Sequence, residues 1–419
     1  MQFLRSPLIQ RSALRLTQIR HASALSANTI NIIKATSPVV AQYGYQITST
    51  MYGTMLKSDP AISALFNPSH QKVLPGEKVA RQPSALAAAV GAYAANIDNL
   101  GVLTAAVERM AQKHVSLYIL PEHYPVVGEH LLAAIKTVLG DAATPEIVQA
   151  WGEAYWFLAD ILIERERNIR ESKASEVGGW EGWREFVVAK KVVESSEITS
   201  FYLRPKDGGK VVPFQAGQYL GLRFDTPEFT TQRNYSISNA PNDQEYRITV
   251  KRQAPAGSGC PVGQVSTFLH DQIKEGSVVK VGVPCGDFYL EVHHDKPIVL
   301  ISGGVGITPI ASMVEDLLQK KLPNSITMLN VTRNPEVEAM HEVFVNHEKN
   351  NSNFKVKTLY GEYPQTVVDA ALLEKILDSK DAHYYFCGPP GFMRTIEHVL
   401  QDWKIPGEQI HFEYFGPHQ

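Results

Sequence analysis

Only three cysteines occur in 419 residues, Cys260, Cys285 and Cys387, and no two of them stand in C-x-x-C spacing. That scarcity removes a disulfide framework and a thiolate zinc site from consideration and fits a reducing compartment. Long apolar runs are also missing: no segment approaches the roughly 18 unbroken apolar residues of a membrane span, so no stable membrane insertion is expected. There is no charge excess. The net charge is −3 and no long basic run is present, which argues against nucleic acid as the main partner. Small-molecule substrates are the expected partners, and a monomer the expected state. Acidic residues are absent before Asp59, whereas Arg5, Arg11, Arg15 and Arg20 fall among serines and threonines with no continuous apolar stretch. Residues 1–26 therefore have the composition of a mitochondrial presequence rather than a secretory signal, with a tail on a cytoplasmic protein as the alternative. With 44% hydrophobic and 20% charged residues, the rest is of globular composition and too long for one core.

The texture of the chain changes twice. In residues 28–172 apolar side chains recur at helical period. "TPEIVQAWGEAYWFLADILIERERNIRESKA" opens with Thr144 as a cap and Pro145 in the first turn, then sets Ile147, Trp151, Tyr155, Leu158, Leu162 and Ile169 on one stripe. "NLGVLTAAVERMAQKH" does the same with Leu103, Val107, Met110 and His114, and "PSALAAAVGAYAANI" with Leu86, Val90, Tyr93 and Ile97. This is an all-α unit. A Gly-Trp-rich joint, "EVGGWEGWREF", ends it, and from 183 to 293 short runs such as "ITSFYLRP", "QYLGLRF" and "YRITVKR" between turn residues predict an antiparallel barrel or sandwich. Residues 294–419 alternate strand and helix, "PIVLIS", "TPIASMVEDLLQKK", "ITMLNV", which predicts an α/β domain with a mostly parallel sheet.

Several short stretches carry chemistry. "LISGGVGITPI" puts Gly304, Val305, Gly306, Ile307, Thr308 and Pro309 between a buried strand and a helix, where glycines let the backbone approach an anion and helix amides face it. "FCGPPGF" places Cys387, Gly388 and Pro389 at the C-terminal end of a later strand, the edge at which α/β sheets bind ligands. Taken alone, Cys387 reads better as a small buried apolar residue. "RNYS" groups Arg233, Asn234, Tyr235 and Ser236: a guanidinium suits a pyrophosphate, an aromatic ring lies on a flavin, and an amide or hydroxyl satisfies a ring heteroatom. An ordinary exposed strand is the alternative. "GQVS", with Gln264, Val265 and Ser266, opens a helix with free amides and reads as a second anion site. His114 lies on the apolar stripe of its helix, where a histidine is more often structural than a ligand. Glu166 falls beside the stripe of the last helix, a costly place for an unpartnered carboxylate. His341 and His347 are six apart, not the four of a zinc-binding H-E-x-x-H, and with His293 and His294 they read as surface residues.

Together R-x-Y-S, G-Q-V-S, G-G-V-G-x-T-P, C-G-P-x-G-F-M and the terminal "YFGP" resemble the reductase half of the ferredoxin-NADP reductase family. The helical front half, with "QKH", "PEHYPVVGEHLL" and "AWGEAY", is similar to the globin half of flavohaemoglobins, which are nitric oxide dioxygenases. The resemblance covers roughly residues 28–419. It implies a multidomain fold of an all-α globin, an antiparallel β-barrel FAD domain and an α/β Rossmann-like NAD(P) domain, with haem b, FAD and NAD(P)H as cofactors and nitric oxide and dioxygen as substrates. By that resemblance His114 is the proximal iron ligand, supported by Tyr124 and Glu166, while Tyr52, Gln82 and Leu86 line the distal side and Phe66 packs on the porphyrin. Lys113 and Glu413 match positions that tune the redox centres. Tyr219, Arg233 to Ser236, Gln264 to Ser266 and the tail residues Tyr414, Phe415, Gly416 and Pro417 hold the flavin, and His123 drops to the surface. The pyridine nucleotide falls to Gly304 to Pro309 and Cys387 to Pro389. This chain carries extra residues, "VLPGEKVA", before the distal helix that the family's bacterial members do not have. Two rival readings stay open: a haem-based oxygen or nitric oxide sensor, and a general NAD(P)H-flavin reductase in which His114 is merely core.

Overall fold

The computed structural model describes residues 25–74, 76–255, 262–291, 295–361 and 368–416. Most of the leader, Cys260, His293, His294 and Pro417 lie outside the described residues.

The first unit is helical. α1 (Ala27–Ser58) starts where the Ser26 side chain accepts from Thr29 N and buries Ile33, Val40, Ile47, Met51 and Met55 along one stripe. α2 (Pro60–Ala64) is a single capped turn, and α3 (Arg81–Ala95) crosses α1 closely, with a Cβ at Gly44 coming 3.3 Å from Ala87 Cβ. α4 (Thr104–Ser116) carries His114, and α5 (His123–Leu139) carries Tyr124. α6 (Pro145–Ser175) has the expected Thr144 cap and first-turn proline, and it buries Trp151, Leu162 and Ile169. Tyr155 and Leu158 on the same stripe are only partly buried. Among the described residues no helix is long and apolar enough to cross a membrane.

The second unit is an antiparallel sheet of β1 (Arg184–Val193), β2 (Ile198–Pro205), β3 (Tyr219–Asp225), β4 (Thr230–Ser236), β5 (Tyr246–Lys251) and β6 (Val278–Val281), in the order β4-β3-β6-β1-β2-β5. A bridge between Ile237, just past β4, and Ile248 of β5 joins the two edges, so the sheet closes into the barrel that the alternating runs predicted. Phe186, Phe201, Leu220 and Tyr246 fill it. The helix α7 (Gln264–Asp271) covers one end.

In the third unit β7 (Ile298–Gly303), β8 (Ile326–Thr332), β9 (Phe354–Tyr360), β10 (His383–Cys387) and β11 (Ile410–Glu413) pair only in parallel, in the order β11-β10-β7-β8-β9. α8 (Ile307–Gln319) covers one face through Ile310, Met313 and Leu317. α9 (His341–Asn350) packs beside it through Phe344. α10 (Ala370–Ile376) and α11 (Pro390–Asp402) cover the other face through Leu373, Met393 and Ile396. Burial on both faces explains why the central strands β7 and β8 read as near-continuous apolar runs.

Candidate active site

Side chains from two helices converge on one carboxylate oxygen of a third. Glu166 of α6 is fully buried; its Oε1 accepts from the Tyr124 hydroxyl at 2.5 Å and lies 2.8 Å from His114 Nδ1. His114 Nδ1 is also 3.1 Å from the Tyr124 oxygen. Burial and then the Glu166 charge push the Tyr124 hydroxyl far above its ordinary pKa, so it stays a donor. Its backbone is fixed in turn: Tyr155 OH donates to Tyr124 O at 2.6 Å, a reach allowed because Gly128 has no Cβ, which would stand 2.5 Å from the Tyr155 ring. With Nδ1 engaged by a carboxylate, the lone pair of His114 sits on Nε2, and the imidazole remains a third exposed.

On the other side of the helical unit Tyr52 is buried, and burial pushes its hydroxyl up to about 12 against the opposing hydrogen bond from Gln82. Gln82 Nε2 donates to the Tyr52 oxygen at 3.2 Å, which leaves the phenolic proton free to donate elsewhere. Phe66 meets Tyr52 edge-on, ring centroids 5.5 Å apart. Leu86 and Val90 from α3, Val107 and Met110 from α4, and Leu158 from α6 are all only partly buried. Half-covered apolar side chains on three helices, an imidazole with a free Nε2 and a neutral phenol donor are the environment that a haem requires. The extra loop does not displace Gln82, because Ala80 N donates to Tyr45 OH of α1 at 3.0 Å and Arg81 binds Glu77.

The helical and barrel units meet at the end of α4. Gly221 of β3 comes so close that a Cβ there would lie 1.8 Å from Ser116 O. Asn234 Nδ2 donates to Ser116 Oγ at 2.8 Å, and Gln112 Oε1 accepts from Gly286 N at 3.1 Å. Arg233 Nη2 donates to Asn67 Oδ1 at 3.0 Å, and Arg109 pairs with Asp287 at 3.4 Å. The Lys113 ammonium sits 5.2 Å over the Tyr219 ring. Burial lowers the Lys113 pKa while Glu413 and Asp287 oppose it, and burial pushes Glu413 up to about 7. One lysine of the helical unit thus couples to the barrel and to the last strand of the third unit. His70 is pushed down to about 4 by burial, with the charges of Arg233, Arg81 and Lys113 adding to the fall. The positive charges within electrostatic reach of His70 suit phosphates. Buried Asn234 Oδ1, Gln232 Oε1 and Glu413 Oε2 have no hydrogen-bond partner, which is the polar lining that a flavin would satisfy.

Ser266 departs from its expected part. Its hydroxyl accepts from Gln253 N and donates to Gly263 O, so it shapes the loop, and it is the backbone amides of Gln264, Val265 and Ser266 that open the helix toward an anion. Ser236 is buried at the end of β4, and burial raises the Tyr235 hydroxyl. The two glycine-rich turns of the third unit meet: a Cβ at Gly306 would lie 2.1 Å from Cys387 O, and Gly304 takes a φ of +53°. Thr308 is buried, its hydroxyl donating to Val305 O at 3.1 Å. The Cys387 thiol is wholly within the core and well above its ordinary pKa through burial, so the apolar reading holds for its side chain and only its backbone reaches the edge. The Tyr414 hydroxyl donates to Glu397 of α11 at 2.5 Å, while Phe415 is 43% exposed. His123 is not a free surface residue either, since its Nδ1 accepts from Leu120 N. His341 is exposed as expected but pairs with Glu338, and no cluster of metal-binding side chains occurs among the described residues.

The sequence reading missed Asn67, Gln112, Ser116 and Asp287. None carries a motif; a glycine inside a strand, Gly221, was the one available sign of close backbone approach.

Comparison with known proteins agrees with this division. Residues 49–162 match the globin family, 185–289 the oxidoreductase FAD-binding domain and 300–398 the oxidoreductase NAD-binding domain. The class is a globin fused to an FAD- and NAD-dependent oxidoreductase. Flavohemoproteins of Halalkalibacterium halodurans and Rhizobium meliloti are 42% and 45% identical over 94% of this chain and 98% of their own. The chain belongs to the flavohaemoproteins. A crystal structure of flavohemoglobin from Malassezia yamatoensis, with bound FAD and heme, superposes with a TM-score of 0.78 at 27% identity, covering 94% of this chain and all of that one. The FAD/NAD-binding domain of a nitric oxide dioxygenase from Vibrio cholerae is 35% identical over 56% of this chain and 99% of that one, with a TM-score of 0.51.

Proposed function

We propose that the chain is a nitric oxide dioxygenase that oxidises nitric oxide with dioxygen to nitrate at the expense of NAD(P)H and so detoxifies nitric oxide under nitrosative stress. The observation that carries it is the His114–Glu166–Tyr124 cluster standing within one helix of the barrel contact, with Lys113 on the Tyr219 ring. When bound, FAD would supply the conversion of hydride from NAD(P)H into single electrons, and haem would supply the site at which dioxygen and nitric oxide react. The turns at Gly304 to Pro309 and Cys387 to Pro389 would hold the nucleotide, and Arg233 to Ser236 with the Gln264 to Ser266 amides would hold the flavin. His114 Nε2 would hold the iron, and Glu166 engages Nδ1, which would make the imidazole a stronger electron donor. Tyr52 would donate its proton to a ligand held at the haem, and Gln82 orients it. Leu86 and Phe66 keep that side apolar. A sensor would have no use for the contacts from α4 to the barrel.

Purified protein is expected to show a Soret band that His114→Ala removes, and NAD(P)H-dependent nitric oxide consumption under air. Absence of that consumption from flavin- and haem-loaded protein would refute the reading. The Arg-rich, acid-free leader supports a eukaryotic protein imported into the mitochondrial matrix. A fluorescent fusion that stays cytoplasmic would argue against this. The expected monomer is checked by light scattering.

A further inference from the structure

Glu166 is fully buried, and its two oxygens have different surroundings. Oε1 takes both the Tyr124 and the His114 contacts, whereas Oε2 has no hydrogen-bond partner. A buried carboxylate with half its acceptor capacity unused is costly unless a charge compensates it. The group facing Oε2 is Arg170, one turn further along α6, its Nη1 4.0 Å away and its side chain 11% exposed. At that distance the attraction is Coulombic rather than a hydrogen bond. A different acceptor holds the guanidinium there: Nη1 donates to Ile119 O at 3.1 Å, and Ile119 N donates to His114 O at 2.9 Å. Arg170 is therefore tied to the turn that closes the helix of His114. The other arginines of this stretch are engaged elsewhere, Arg165 with Glu108 and Arg167 with Glu164 and Glu171.

The more negative charge Glu166 concentrates on Oε1, the more strongly it draws the Nδ1 proton and the better Nε2 donates to a metal. A cation beside Oε2 stabilises charge on the far oxygen and weakens that pull. We propose that Arg170 is a positioning residue of the proximal pocket that moderates the electron donation of His114 through Glu166. The proposal rests on the haem reading given above, and it goes beyond it by adding a fourth, cationic member to the cluster.

The test uses ferrous holoprotein, with resonance Raman for the iron–histidine stretch and potentiometric titration for the haem midpoint. Arg170→Met is expected to raise the stretching frequency and lower the potential; Glu166→Gln moves both the other way. In the Glu166→Gln background Arg170→Met is expected to change neither readout, because the cation acts through the carboxylate. Arg170→Lys brings both back toward wild type. Arg170→Gln, which keeps a donor for Ile119 O without the charge, is expected to match Arg170→Met, and it carries the test if the methionine variant loads haem poorly. Equal shifts with and without the Glu166 carboxylate, or wild-type behaviour of Arg170→Gln, would overturn the proposal. Failure of the haem reading is distinguishable, since the Soret band would then survive His114→Ala.

Discussion

Gly221 lies in the middle of β3 and has no side chain where one would meet the last turn of α4. A Cβ there would stand 1.8 Å from Ser116 O, so Gly221→Ala forces that backbone carbonyl back by roughly 1.2 Å before the contact reaches the 3.0 Å below which Cβ atoms do not pack. The strand cannot give way instead, because Gly221 pairs with Asn234 on one side and accepts from Gly282 N at 2.8 Å on the other. The helix must move. Its movement lengthens Asn234–Ser116 and Gly286–Gln112, now 2.8 and 3.1 Å. Overpacking typically costs about 1–3 kcal/mol, and each hydrogen bond lost adds about 1 kcal/mol, so the contact between the helical unit and the barrel should weaken by about 2–5 kcal/mol. Stopped-flow mixing with NAD(P)H separates the consequences: flavin reduction proceeds as in wild type, while the haem reduction phase slows and the helical unit melts earlier. Wild-type haem reduction together with wild-type melting would show that this approach does not set the distance between the two redox centres.

The remaining expectations concern single groups. Tyr124→Phe removes one of two donors to Glu166 Oε1; a hydrogen bond to a charged group contributes about 1.5–3 kcal/mol, so denaturant unfolding of the holoprotein should show a loss of that size, and an unchanged midpoint would speak against it. Burial raises the folded-state pKa of Glu413 from 4.5 to about 7, so the folded state takes up its proton more readily than the unfolded chain. Its stabilising contribution is complete below 4.5 and lost as pH rises through about 7. Glu413→Gln should flatten denaturation midpoints across that window, and a pH dependence that survives the substitution contradicts the assignment. Gly306→Ala drives a methyl to within 2.1 Å of Cys387 O and should part the two nucleotide turns, raising the KM for NAD(P)H while the Soret band is unaltered. An unchanged KM would mean that the two turns do not act together.

Period and punctuation made the three units legible, because each obeys a local rule: a capped amphipathic helix such as α6, alternating short strands, and apolar strands followed by helices. The site was legible only where a motif concentrates its chemistry in consecutive residues, as in Gly304 to Pro309 or Arg233 to Ser236. His114 shows the limit. Its stripe position favours a core residue, and its carboxylate partner lies 52 residues away on another helix, so no window of sequence holds both. The same holds with more force between units, where Asn67 meets Arg233 across 166 residues and Gln112 meets Gly286 across 174, by side chains of ordinary surface type. Such contacts have no periodic signature, since they are selected by the placement of two finished domains rather than by the folding of either. Gly221 is the exception that shows what a sequence can retain of such an interface. Position by position, a backbone approach too close for a Cβ leaves a glycine in a strand that would otherwise prefer a branched residue. Side-chain contacts leave no comparable mark, which is why Lys113, Tyr219 and Glu413, the residues that join all three units, were recognisable from family resemblance but not from the pattern of the chain.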